Sequence, residues 1–410
     1  MITLRDYQID ISDRGSSILK QYGFVYLAMQ VRTGKTLTSI ACCEKVLKEG
    51  RVLFLTKKKA ISGIEKDIED YGTSLNVRVT NYESIHRLPK VNWDFLVLDE
   101  AHCLGAFPKP SKRALDIAKL IYWNKPIHVV LLSGTPTPES YSQIYHQVYG
   151  IPGNPFRGYK NFYMFARDHV SMKSKKINGY DVKDYSDGNK SIISAMNPYT
   201  ISFTQSEAGF RTTINERIEF VELNPLTHEL AKRLKKDRVI MVGEEVILAD
   251  TEVKLMNKLH QIYSGTVLFE SGKSFCIDYA KANYILKNFA GMKIGIFYKF
   301  KAEYELLKGV LENTLTDDLD EFNSADKHIA LQIISGREGI SLKKADLLVY
   351  FNIDFSATSY WQSRDRMTTM DRLENNVVWL FSDGGIEGRI YKAVTRKLDY
   401  TISHFRRDFL

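Results

Sequence analysis

Three short stretches of this 410-residue chain carry the side-chain types that phosphate chemistry needs. The first, "AMQVRTGKT" at 28–36, ends in Gly34, Lys35 and Thr36. Backbone N–H groups at a helix N-terminus face an anion, a lysine beside them reaches terminal phosphates, and a threonine hydroxyl can coordinate magnesium. Met29 stands where the pattern G-x-x-x-x-G-K-[ST] has its first glycine. The second stretch is Asp99 and Glu100, directly after the apolar run "FLVL". A carboxylate there can hold magnesium, directly or through water, and a second one beside it can orient or deprotonate an attacking water. The third, "LLSGTPTPES" at 131–140, offers Ser133 and Thr135 as groups that hydrogen-bond across a cleft and report the state of a phosphate. Each has a plainer reading: a glycine that starts a helix, a solvated acidic helix start, and a turn rich in Gly-Thr-Pro.

The elements around them favour the chemistry. "FVYLAM" (24–29), "RVLFLT" (51–56), "DFLVLDE" (94–100) and "HVVLLSG" (128–134) read as buried strands, each ending in polar or small residues. "TLTSIACCEKVLKEG" after Lys35 has helical apolar spacing. Strands alternating with amphipathic stretches predict a parallel sheet covered by helices, whose ligands bind beyond the carboxyl ends of the strands. From Tyr141 the pattern changes to dense aromatics, recurring Gly and Pro, and the basic run "RDHVSMKSKKINGYDVKD". A second strand series follows at 217–223, 293–298, 328–335, 347–352 and 377–382. The expected division is a first domain over 1–145, a helical and basic connecting segment over 146–215, and a second domain over 216–410. No solenoid-period repeat and no low-complexity tract interrupts it.

A net charge of +8 favours a polyanionic partner. Cys42, Cys43, Cys103 and Cys276 include no C-x-x-C pair, which argues against zinc, and the adjacent pair reads as core filler in a reducing compartment. "MITLRDYQID" is not a signal peptide, and no apolar run of membrane-spanning length occurs. The expectation is a cytoplasmic protein with no membrane association.

In order, "LRDYQ" (4–8), "RTGKT" (32–36), "TKKK" (56–59), "TNYES" (80–84), "DEAH" (99–102) and "SGTP" (133–136) resemble the first motor domain of superfamily 2 helicases and translocases, particularly the Swi/Snf-like branch. "KIGIFYKFKAEYELL" (293–307) is similar to motif IV of that family, and "SGREGISLKKADLLVYFNIDFSATSYWQSRDRM" (335–367) to motifs V and VI. The family tolerates variation upstream of G-K-T, which accommodates Met29.

The resemblance implies an α/β fold of two RecA-like parallel-sheet motor domains, with ATP and Mg2+ bound between them and nucleic acid running across both. Gln8 would read the adenine edge with Arg5 nearby, Thr33, Gly34, Lys35 and Thr36 would hold the phosphates, and Thr36 and Asp99 the metal. Glu100 would activate water. Gly339 would line the cleft from the second domain, and Gln362 and Arg366 would approach the γ-phosphate. Where motif VI has a second arginine this chain has Thr369, with Arg364 and Arg372 near enough to substitute. Lys57 and Lys58, with Lys59, occupy a motif that touches the nucleic-acid backbone. Asn81, Tyr82, Arg337 and Lys343 are further nucleic-acid candidates, as is Lys344, and the aromatics Tyr159, Phe162, Tyr163 and Phe165 would pack against the first domain or offer stacking surfaces.

The implied activity is a monomeric ATP-dependent DNA helicase or translocase, moving 3′ to 5′, of the compact kind encoded by phages and acting in the host cytoplasm if viral. DNA is favoured over RNA. An RNA helicase, or a nucleic-acid-binding module using ATP only as a conformational switch, are the alternatives.

Overall fold

The computed structural model describes residues 2–89, 91–124, 126–177, 180–336 and 340–396. The chain folds as two compact units, Met1–Phe210 and Arg211–Leu410.

In the first unit the strands are β1 (Phe24–Met29), β2 (Arg51–Thr56), β3 (Asn76–Asn81), β4 (Phe95–Leu98) and β5 (His128–Leu132), then a hairpin of β6 (Lys173–Ile177) and β7 (Tyr180–Asp184), and finally β8 (Thr200–Phe203). Six of them form one sheet in the order β3-β2-β4-β5-β1-β8, every pair parallel. Both faces of β1, β2, β4 and β5 are covered, which is why they read as unbroken apolar runs rather than as alternating ones. On one face α1 (Asp6–Tyr22), α2 (Lys35–Glu44) and α3 (Ile61–Tyr71) bury Ile11, Leu19, Ile40, Ile64 and Ile68 with Cys42 and Cys43. Gly15 lets α1 approach α2, since a Cβ there would lie 2.7 Å from Cys42 Sγ. On the other face α4 (Lys112–Trp123) contributes Ala114, Ile117 and Ile121.

Phe162 and Phe165 join that second face, and Tyr159 packs against it, so residues 146–210 lie inside the first unit. β8 comes from the same segment. It adds to the free edge of β1 with Tyr26 opposite Thr200 and Met29 opposite Phe203. Neither β8 nor β3 is legible in the sequence pattern. "NVRVTN" and "TISF" mix polar and apolar residues because they are the two edges of the sheet, where one side of the strand meets solvent.

The second unit is a separate six-stranded sheet. Its strands are β9 (Thr213–Val221), β14 (Ile294–Tyr298), β15 (Leu315–Thr316), β16 (His328–Gln332), β17 (Leu347–Tyr350) and β18 (Glu374–Ser382). They run in the order β15-β16-β14-β17-β18-β9, again all parallel. Two hairpins precede β14, one of β10 (Val239–Val242) and β11 (Glu245–Leu248), the other of β12 (Thr266–Leu268) and β13 (Ser274–Cys276). β9 and β18 pair from Thr213 opposite Glu374 to Val221 opposite Ser382, so both begin earlier than their apolar stretches suggest.

Polar side chains brace this sheet from within. Lys281 and Glu387, 1% and 0% exposed, pair at 2.9 Å; Lys281 also donates to the Phe351 carbonyl and Glu387 accepts from Ser382 Oγ. The pair ties helix Ala280–Asn288 to helix Glu387–Val394. A buried charge stripped of its partner is strongly unfavourable, whereas an apolar pair of similar volume is tolerated. Lys281→Met is therefore expected to destabilise the second unit by about 3–5 kcal/mol, and Lys281→Met/Glu387→Leu to recover most of that loss. Urea denaturation followed by fluorescence, with Trp361 and Trp379 as reporters of this unit, checks it.

Candidate phosphate-binding site

Because the first sheet is parallel, its strand-to-helix turns leave from one edge. β5 lies between β1 and β4, so the turns carrying Gly34, Ser133 and Asp99 are neighbours in space although far apart in sequence. β2 and β3, next along the same edge, place Lys57 and Asn81.

The turn after β1 runs from Gln30 to Gly34. Met29 is the last residue of β1, fully buried in the core and extended against Phe203. An extended, buried strand end has no need of glycine, and a large apolar side chain serves it. Gly34 does need to be glycine. It adopts φ 79° as the cap of α2, and a Cβ there would sit 2.3 Å from Gln8 Nε2. Arg32 also has positive φ, at 63°. The turn is held by its own groups: Thr33 Oγ1 donates to the Gln30 carbonyl at 2.7 Å and Thr38 Oγ1 to the Gly34 carbonyl at 3.0 Å.

Outside braces fix it further. Gln8, 6% exposed, donates from Nε2 to the Gly34 carbonyl at 3.3 Å and accepts from the Arg5 backbone N at 2.9 Å. Arg5 itself is exposed, donating to Tyr7 Oη at 3.0 Å. From beyond β8, Gln205 gives its backbone N to Gln30 Oε1 at 2.7 Å and its Nε2 to the Val31 carbonyl at 3.0 Å, while Phe203 stacks on Tyr7 at 4.8 Å. Gln205 and Phe203 belong to no motif, so the sequence contains no signal for them.

Lys35 opens α2 with Thr36 beside it, where the backbone N–H groups of the first turn lack intrahelical partners. Asp99 accepts from Thr56 Oγ1 at 2.7 Å. Burial, and then the neighbouring Glu100 charge, push the Asp99 carboxyl up to about 6, against the pull of the Lys35 ammonium and the Thr56 hydroxyl. Asp99 thus feels both the Glu100 carboxylate and the Lys35 ammonium. Glu100 is held in the left-handed region at φ 51°, ψ 45°, an uncommon conformation for a long side chain. His102 Nδ1 lies 3.2 Å from Glu100 Oε2 and 3.0 Å from Ser133 Oγ, and Ser133 Oγ in turn accepts from the Thr135 backbone N at 3.1 Å. Among the described residues Thr135 Oγ1 is buried without a hydrogen-bond partner. Gly134 packs its backbone on the first turn, a Cβ there falling 3.4 Å from the Met29 carbonyl oxygen and the Val31 nitrogen.

A cradle that only glycine permits, a lysine at a helix N-terminus, and a threonine hydroxyl and a carboxylate as hard oxygen donors fit a magnesium-bound polyphosphate.

One expected nucleic-acid contact is corrected. Tyr82 is 3% exposed and donates its hydroxyl to the Asp99 carbonyl at 2.6 Å, so it braces the carboxylate turn and presents nothing to a polymer. Lys344 is exposed and donates Nζ to the Asn323 carbonyl at 2.6 Å. Lys58 is exposed, Lys57 is half-buried and starts the turn Lys58–Ala60, and Asn81 is the last residue of β3.

In the second unit Gln362 is buried on helix Ala357–Ser363, and its Oε1 has no partner among the described residues. Arg366 donates to the carbonyls of Gln362 at 3.0 Å and Ile340 at 3.2 Å, bracing residues 340–342. The two substitutes expected for the arginine replaced by Thr369 are committed to the fold. Arg364 pairs with Glu216 at 2.8 Å and stacks on Trp361, and Arg372 donates to the carbonyls of Lys343, Ala345, Asp346 and Glu374. Lys343 is exposed. Arg337 and Gly339 lie outside the described residues.

No protein-family model matches the chain. No curated protein matches it either. Among solved structures it is similar to the SWI2/SNF2 ATPase core of Sulfolobus solfataricus. The form in complex with dsDNA shares 17% identity over 96% of this chain and 91% of that one, with a TM-score of 0.44. The core domain alone shares 15% over 100% and 91%, with a TM-score of 0.43. At such identities and TM-scores, what the chain does has to be read from its own residues.

The raised Asp99 carboxyl has a consequence for stability. The group titrates near 3.8 when unfolded and about 6 when folded, so folding favours its protonated form; that contribution is complete below about pH 4 and is lost as pH rises through about 6. Without magnesium, Asp99→Asn keeps an oxygen for Thr56 and removes the charge. It is expected to stabilise the protein by on the order of 1–2 kcal/mol at about pH 8 and by almost nothing at about pH 4. Urea midpoints of both proteins at the two pH values check this, an equal gain at each being the contrary result.

Proposed function

We propose that the chain is an ATP-hydrolysing motor of the superfamily 2, Swi/Snf-like type that acts on DNA. The observation that supports it most directly is the placement of the turns carrying Gly34, Ser133 and Asp99 side by side along one edge of the first sheet, with Lys35 opening α2 and the Asp99 carboxylate held by Thr56.

In this reading the α2 N-terminus and Lys35 bind the phosphates of ATP, and Thr36 and Asp99 would hold Mg2+, which when bound withdraws charge from the phosphate oxygens. Glu100, held in the left-handed backbone region with His102 beside its carboxylate, accepts a proton from the water that attacks the terminal phosphorus. Ser133, bonded to His102 and on the turn whose Gly134 touches the phosphate turn, moves with the presence or loss of that phosphate. Such a differential contact is what a conformational cycle requires. For Gln362 and Arg366 the proposal rests on the motif they occupy, and for Lys57, Lys58, Asn81 and Lys343 as sequence-blind phosphate contacts it rests on the same resemblance. DNA over RNA, 3′ to 5′ movement, a monomeric state, a cytoplasmic site of action and a phage origin are proposed on that resemblance too.

Phosphate release from MgATP is expected to rise on adding DNA and to respond less to RNA. Glu100→Gln should lower the stimulated rate by about 10²-fold or more while binding of a fluorescent ATP analogue persists. An unchanged rate in that variant would leave ATP as a switch only. Strand displacement on 3′-tailed, forked and blunt duplexes then separates unwinding from translocation alone.

A further inference from the structure

A buried strut holds two of the site's turns, and nothing in the motifs announces it. Residues 140–147 form a short turn, Tyr141–Gln143, running into helix Ile144–Gln147, with Ser140, Ser142, Gln143, Ile144, Tyr145, His146 and Gln147 all buried. Gln147 is 1% exposed and uses both ends of its amide: Oε1 accepts from Tyr26 Oη at 2.7 Å, and Nε2 donates to the Pro136 carbonyl at 2.8 Å. Pro136 closes the SGTP turn and Tyr26 is in the middle of β1. The Tyr26 hydroxyl also lies beside Ser133.

The adjacent His146 donates Nδ1–H to the Ala106 carbonyl at 2.6 Å, four residues beyond His102. Gly105 admits the strut closely, since a Cβ there would come within 2.8 Å of Gln143 Cβ and 3.0 Å of Gln147 Nε2. At its other end Ser142 Oγ donates to the Tyr185 carbonyl at 2.7 Å, just after β7. One short segment is thus bonded to the turn after β5, to the turn after β4, and to the base of the β6–β7 hairpin.

We infer that Gln147 is a positioning residue for the hydrolysis step: through Pro136 and Tyr26 it fixes Ser133 and with it His102, whose Nδ1 lies 3.2 Å from the Glu100 carboxylate. The inference rests on the motor reading, in which Glu100 handles the attacking water. Gln147 touches neither substrate nor metal. A buried amide satisfied at both ends admits few alternative positions for the groups it joins, because leaving either end unbonded away from water is unfavourable. The turn that carries the nucleotide's own contacts, at Gly34, Lys35 and Thr36, takes its side-chain hydrogen bonds from Gln8, Thr33 and Gln205 rather than from Gln147. Loss of the strut therefore affects turnover rather than binding.

The test uses the full chain with Gln147→Met, which keeps the volume and removes both polar ends, and Tyr26→Phe, which removes one hydroxyl and keeps the ring. Each is expected to lower kcat for DNA-stimulated ATP hydrolysis by about tenfold with KM for ATP within about twofold, since misplacing a water-activating group costs turnover alone. The double variant should fall no further than Gln147→Met, because both act through one chain of bonds. Variants that turn over like the wild type overturn the inference. So does a parallel loss of kcat and ATP affinity, which would mark the strut as merely structural, with Tyr26→Phe deciding should Gln147→Met fail to fold. Wild-type protein that hydrolyses no triphosphate removes the motor reading and this inference together, whereas active wild type with unaffected variants removes the inference alone.

Discussion

A parallel sheet sends every strand-to-helix turn out of one edge, and in the first unit that constraint assembles the site. The order β3-β2-β4-β5-β1-β8 sets the turn after β5 between those after β1 and β4, so a serine-glycine turn is flanked by a phosphate cradle and a carboxylate pair. Each of the three is braced by a side chain from elsewhere. Gly34 is held through Gln8, Asp99 through Thr56 and Tyr82, and Ser133 through His102. The sheet supplies rough placement, and side chains from other elements supply the rest.

The electrostatics follow from that crowding. Two carboxylates side by side at a covered strand end repel, and the one with less water holds its proton more tightly. Lys35 relieves part of this, and a divalent cation with Thr36 and Asp99 around it would relieve the remainder. The second unit solves a related problem with arginine. Glu216 on β9 accepts from Tyr360 Oη, Arg364 Nη1, Trp379 Nε1 and Tyr391 Oη, all within 3.1 Å, so one carboxylate gathers four donors beneath helix Ala357–Ser363. Arginine suits such work because its planar fork serves several acceptors at once, and Arg372 does the same for four backbone carbonyls.

What the sequence disclosed depended on how local the signal was. Strands buried on both faces are continuous apolar words, and "FVYLAM" and "RVLFLT" match β1 and β2 residue for residue. Gly34, Lys35, Asp99 and Glu100 were legible because each follows such a word. Edge strands were not, since half-exposed residues carry no distinctive alphabet. Tyr82 looked like a surface aromatic because nothing nearby in sequence tells that Asp99 would come to lie against it. Gln147, Gln205 and Glu216 were invisible for a deeper reason. Their partners are 121, 175 and 148 residues away, as with Tyr26, Gln30 and Arg364, and a lone glutamine or glutamate has no pattern. Arg364 and Arg372 looked available because spacing shows that an arginine is near and never what it already holds.

The late arrival of β8 bears on how the protein can be dissected. A fragment ending near residue 145, where the apolar alternation stops, would strip β1 of its neighbour and leave a row of unpaired backbone groups along a flat hydrophobic edge, a template for sticking to other chains. It would also lack Phe203 and Gln205, so the phosphate turn would lose its outer wall. The first unit is complete only through residue 210, and recombinant pieces meant to bind nucleotide on their own should be cut there.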